Sequence, residues 1–181
     1  LTGAGTAVLS RCSIIGGLGD GAVYVAGGTA SLTNVLIARE AAGSGLVVTG
    51  GTVTATHITL AHNTNWGARV GGGSVTLRDA VAWGNLDGGL DSACAISYSC
   101  SQETRPGLGN IVTNPLFADT TWYHLSSRVD CYSNGYFVGG TWIQTAEDSP
   151  AIDAGGPADP CDQEPQPNGA RVNLGAYGNT P

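Results

Sequence analysis

The sequence has no lysine and no methionine, and charged residues make up only 12% of its 181 positions. Seven arginines stand against fourteen acids, giving a net charge of −7, and no basic cluster occurs. Phosphate binding needs clustered Lys or Arg, so nucleic acid is not an expected partner. No apolar run approaches the length of a membrane span, so membrane insertion is not expected either. No charged-then-apolar leader opens the chain, and any signal peptide is expected to lie outside it. Helix-forming residues are thin. Glycine is abundant, with 29 residues, and that balance favours short strands joined by tight turns.

The five cysteines, Cys12, Cys94, Cys100, Cys131 and Cys161, form no CxxC pair and no Cys/His metal spacing. Four of them sit in the irregular second half, where disulfides would brace loops and an oxidising, extracellular setting would follow. Pairing cannot be read from spacing; Cys94 with Cys100 and Cys131 with Cys161 are the local choices.

What the chain does have is a repeat. Thr6, Thr29, Thr52 and Ser74 each follow a glycine-rich turn at spacings of 23, 23 and 22 residues. From these anchors apolar residues fall into columns. Ala7, Ala30, Val53 and Val75 form the first, and Leu9, Leu32, Ala55 and Leu77 the second. After a polar corner at Arg11, Asn34, His57 and Asp79 come Cys12, Val35, Ile58 and Ala80, then Ile14, Ile37, Leu60 and Ala82. Val23, Leu46 and Ala68, with Val25, Val48 and Val70, supply a third strand upstream.

A period near 22 with three strands and no helical stretch predicts an all-β, right-handed parallel β-helix. The rival is a leucine-rich repeat, but Leu holds few of its slots and no helix covers a convex side. Residues 1–96 are expected to form the coils, and 97–181 a final coil and an irregular C-terminal cap within the same domain. The second half concentrates aromatics (Trp122, Tyr123, Tyr132, Tyr136, Phe137, Trp142) suited to covering an open solenoid end.

The segments "GNIVTNPLFAD", "YHLSS", "SPAIDAG" and "EPQPNGARVNLGAYGNT" resemble the C-terminal end of bacterial right-handed parallel β-helix repeat proteins. These are secreted or surface solenoids of pectate-lyase-like and polymorphic outer-membrane type. The resemblance implies the architecture and a secreted or cell-surface location, and says little about activity. Ala151 stands where that family commonly has Cys, while Cys131 and Cys161 are extra.

Leu1 begins almost inside a coil, so the expectation is either a fragment of a longer solenoid or an open end that docks on another copy. The expected role is non-catalytic and structural: a surface solenoid stacking head to tail into a fibre through Ala7, Leu9, Cys12 and Ile14. Carbohydrate binding or cleavage is the alternative. His57, Arg78 and Asp79 would carry it, with Trp66 and Trp83 as sugar platforms, in the manner of a polysaccharide lyase or glycoside hydrolase. A third reading is ice binding by the Thr/Ser face, which Val8 and Arg78 interrupt. Asp153, Asp159, Asp162 and Glu164 lie within twelve residues and offer oxygen ligands for Ca²⁺, with solvated loop acids as the plainer reading.

Overall fold

The computed structural model describes residues 1–166 and 168–181. Three long strands open it: β1 (Thr6–Ile15), β2 (Gly21–Ala38) and β3 (Ser44–Ala61). The next coil is split into β4 (Trp66–Val70), β5 (Ser74–Arg78) and β6 (Val81–Trp83), and the last into β7 (Gly88–Leu90), β8 (Cys94–Ser97) and β9 (Cys100–Ser101). All nine pair in parallel, and among the described residues there is no helix. The expected parallel β-helix is the fold.

The register follows the repeat. Thr6 pairs with Thr29, Thr29 with Thr52, and Thr52 with Ser74. Each coil therefore stacks its apolar columns on those of its neighbour, at about 4.8 Å per rung. The core runs through Leu32, Val35, Ile37, Val53, Ile58, Leu60 and Leu77 to Ile96, with Ala7, Leu9 and Cys12 packed against its first rung. The Thr/Ser side of the coils faces out; Thr52, Thr54 and Thr76 are exposed.

Two ladders of left-handed residues turn the chain within each coil, the first of them inside β1, β2 and β3. Arg11, Asn34, His57 and Asp79 have φ between 49° and 54°, and Gly16, Arg39, His62 and Gly84 repeat the device one strand later. Asn and Asp tolerate this conformation better than most side chains, which suits them to the corner.

The last coil is tighter: Val75 pairs with Cys94, only 19 positions on. Residues 102–111 then close that end. Arg105 donates to the carbonyls of Leu90 (2.7 Å) and Cys94 (2.9 Å), and Ile111 bridges to Cys100.

From Pro115 onward the chain is irregular apart from a two-stranded antiparallel ribbon, β10 (Cys131–Ser133) and β11 (Thr141–Ile143). Here the structure differs from the expectation that the aromatic tail folds over a solenoid end. It lies along a flank, back toward β1. The reason is in the second strand of each coil, whose outward residues are apolar. Leu36, Ala38, Ala61 and Val81 are fully buried beneath Tyr123, Ala176, Leu174 and Ala151. A flank of that kind in water would expose a contiguous apolar strip, and the tail removes it.

All five cysteines are free, which corrects the expected bridges. Cys94 belongs to the inward column after Val75, whereas Cys100 lies on the next face opposite Val81 with Sγ directed at the carbonyl of Thr113. Cys131 is buried in the ribbon and Cys161 sits half-buried in a loop. The argument for an oxidising setting that rested on these bridges falls with them.

Candidate functional site

The corner ladder carries the residues that sequence singles out for chemistry, so its surroundings decide what they do. Asn34 Nδ2 donates to the carbonyls of Ala176 (3.1 Å) and Gly178 (2.8 Å). One rung on, Thr59 Oγ1 accepts from the amide of Ala176 at 2.9 Å. Asp79 accepts the amide of Gly156 at 2.7 Å through Oδ1, and its own carbonyl accepts the amide of Gly175 at 2.8 Å. Arg78 reaches out to Asp159, with Nε and Nη2 at 2.7 and 2.5 Å from Oδ2, and lies over the ring of Tyr98.

These contacts demand close backbone approach. A Cβ on Gly178 would lie 2.4 Å from His57 Nδ1, and one on Gly156 would overlap the Arg78 guanidinium and Asp159. Glycine at both places is therefore a packing requirement.

The electrostatics are those of a buried latch. Burial pushes the His57 imidazole down to about 4, with Asp159 opposing and Arg78 adding to the effect. Burial raises the Asp79 carboxyl to about 7, against the Gly156 amide, which favours its charged form. His57 Nδ1 and Asp79 Oδ2 have no hydrogen-bond partner. The hydrogen bond that Arg78 donates to Asp159 holds the guanidinium above its usual range.

The structure thus brings His57, Arg78 and Asp79 together, but beneath the tail. Asp79 is 0% exposed, and a polysaccharide on the outer surface reaches it only if the tail is displaced. Trp66 and Trp83 do not flank the trio as platforms: Trp66 covers Gly88, and Trp83 packs into the Val81–Leu174 cluster. As arranged, the corner holds backbone.

The four tail acids do not converge. Asp159 is committed to Arg78, and Asp162 is exposed beside Gln163. Glu164 is buried and accepts the amides of Asn173 and Asn179, both at 2.8 Å, through Oε1. Asp153 donates its own amide to Asn173 Oδ1 and, by charge, faces Arg171. Among the described residues no group of three His, Cys, Asp or Glu side chains is placed to hold a metal ion. Glu164 is thus a buried acceptor for loop amides rather than a solvated loop acid.

Sequence reasoning missed a second ladder, inside the turn after Arg39, His62 and Gly84. Glu40 accepts from the amide of Gly17, Asn63 from that of Glu40, Asn85 from that of Asn63, and Gln102 from that of Asn85. The first three of these side chains are at most 2% exposed. The signal was present at spacings of 23 and 22, yet polar residues in turns read first as solvated.

The assembly residues lie where the register puts them. Ala7, Leu9, Cys12 and Ile14 are half-buried, Val8 is 71% exposed, and β1 has β2 as its one strand partner among the described residues. Burial raises the Cys12 thiol, the behaviour of a small apolar side chain. Comparison with protein-family profiles, with curated proteins and with solved structures gives no match for this chain.

Proposed function

We propose that the chain is a structural β-solenoid that pairs through the β1 edge with the same edge of a second copy. The observation that carries this reading is the asymmetry of the two ends. At one end, among the described residues, β1 pairs on one side only, with β2, and Ala7, Leu9 and Cys12 lie half-covered behind it. It has no proline and no lysine, and Arg11 is its one charge. At the other end residues 102–111 occupy the last ladder and Arg105 takes up its carbonyls.

Head-to-tail growth into a fibre needs an open ladder at both ends. With one end closed, self-pairing narrows to an isologous, head-to-head dimer. A secreted or cell-surface setting belongs to this reading and rests on the tail motifs alone.

Analytical ultracentrifugation over a wide concentration range tests it. A monomer–dimer equilibrium is expected, with β1 amides slowed in hydrogen exchange as dimer forms. Val8→Lys, which adds a charge to the edge strand of each copy, weakens the dimer. A chain that stays monomeric at every concentration, or one that forms open-ended filaments, overturns the proposal.

A further inference from the structure

The tail encloses a cleft of about 930 Å³ that no solenoid coil lines. Its lining comes from the ribbon and the loop before it on one hand and from residues 148–181 on the other. Rings form much of one wall. Trp142 is 54% exposed, held edge-on by Tyr132 at a centroid distance of 5.5 Å, and Tyr136 packs on Phe137 at 4.4 Å. His124 stacks on Tyr177 at 3.6 Å, and its Nε2 points at the carbonyls of Gly135 and Tyr136. Facing two carbonyls, Nε2 carries a proton, and burial pushes the imidazole below its ordinary value.

The ring hydroxyls are already engaged. Tyr132 Oη accepts the amide of Gly140, and Tyr136 and Tyr177 donate to the carbonyls of Asn34 and Trp122. The rings therefore offer the cleft their faces and edges.

The polar lining is rich in acceptors. Asp130, Asp148, Asp153 and Glu164 all line the space, and no Arg lines it. Glu164 is 4% exposed, its Oε1 is held by two amides, and its Oε2 has no partner; Asp153 Oδ1 is likewise buried without one. Arg171, whose charge bears on Asp153, directs its guanidinium to the carbonyls of Ala154 and Gly155.

A space of this size suits one small ligand or a few linked rings. An anionic ligand meets Asp130, Asp153 and Glu164 with no Arg in the lining, while Asp148 is paired with Arg128. A purely apolar one would strip water from the accessible polar groups of the lining, Asp130, Asp148, Gln166 and Asn168, at a cost in free energy. A pyranose supplies both a flat C–H face for an aromatic ring and hydroxyl donors around its rim. We propose that the cleft between the ribbon and the end of the tail binds a saccharide that carries no acidic groups. This site is separate from the β1 edge, and either proposal stands or falls without the other.

Tryptophan fluorescence and calorimetry with uncharged cello-, xylo- and manno-oligosaccharides test the assignment, with an oligogalacturonate as the acidic probe. Saturable binding of at least one uncharged series is expected, with none of the oligogalacturonate. Trp142→Ala should weaken binding roughly three- to tenfold, the scale of one aromatic stacking contact. Trp142→Phe should recover part of that loss. Tyr24→Ala, on the coil surface away from the cleft, should leave affinity unchanged. Circular dichroism checks that each variant folds. Equal binding by Trp142→Ala and the parent, acidic binding as tight as uncharged, or no saturable binding by any uncharged series would each overturn the proposal.

Discussion

The side-chain amide of Asn34 donates to the carbonyl of Gly178 at 2.8 Å, joining a coil corner to a residue 144 positions further along the chain. The same corner column supplies Asp79 for Gly156 and places His57 against Gly178. A ladder of strained turns thus doubles as a set of fasteners.

Replacing Asn34 with glycine keeps the left-handed corner but removes both bonds. Two buried carbonyls, of Ala176 and Gly178, then lose a donor, and a destabilisation of about 1–3 kcal/mol is expected. Denaturant unfolding measures the loss. Hydrogen exchange should quicken over 174–179 while the β2–β3 amides stay protected.

The latch carries opposing pH dependences. His57 has a folded value near 4, below its ordinary 6.5, so its contribution is present above 6.5 and lost as pH falls toward 4. Asp79 has a folded value near 7, above its ordinary 3.8; its contribution is present at low pH and lost as pH rises toward 7. Relative to the parent, His57→Gln should gain stability as pH falls through that window, and Asp79→Asn should gain it as pH rises. Urea midpoints at several pH values check both slopes; parallel curves for parent and variants would contradict the buried latch.

Leu36 points away from the solenoid interior yet is fully buried. Leu36→Ala should therefore cost about 2–5 kcal/mol, as for an interior leucine. An outward residue facing water would change stability by no more than about 0.5 kcal/mol. Thermal or chemical unfolding separates the two outcomes.

Unfolded protein should yield all five cysteines of the chain as reactive thiols without a reductant. In the folded state Cys94 and Cys100 should react last, since burial raises their thiols to about 12 and about 11. A thiol titration with and without denaturant reads both numbers; fewer than five thiols on unfolding would contradict the free cysteines.

The coils were legible because each column is reinforced by its neighbours: Leu32, Ala55 and Leu77 share a register that a one-residue slip would turn outward. The flank was not. An outward apolar column at Leu36 and Val81 is visible only if "VLIA" is read as a strand covered on both faces, which a continuous apolar run permits. Its covering segment has no period, and its hydrogen bonds to the coils span 61 to 144 positions of sequence. Register alone unites His57 and Asp79 in one corner column, but it says nothing of what lies over them. The tail acids were grouped by nearness in sequence, and irregular loops do not preserve nearness: Arg78 draws Asp159 away while backbone amides hold Glu164.

A solenoid built from equal rungs has no intrinsic reason to stop at one length. Here the flank segment acts as a ruler. It is fastened at Asn34, Thr59 and Asp79 in successive coils, with Phe137 lying under the guanidinium of Arg11 one coil before them. An inserted coil would displace every fastener beyond it by about 4.8 Å, roughly one residue and a half of extended chain. The tail thereby measures the stack it covers, and duplication or deletion of a coil becomes an error the molecule detects as lost attachment.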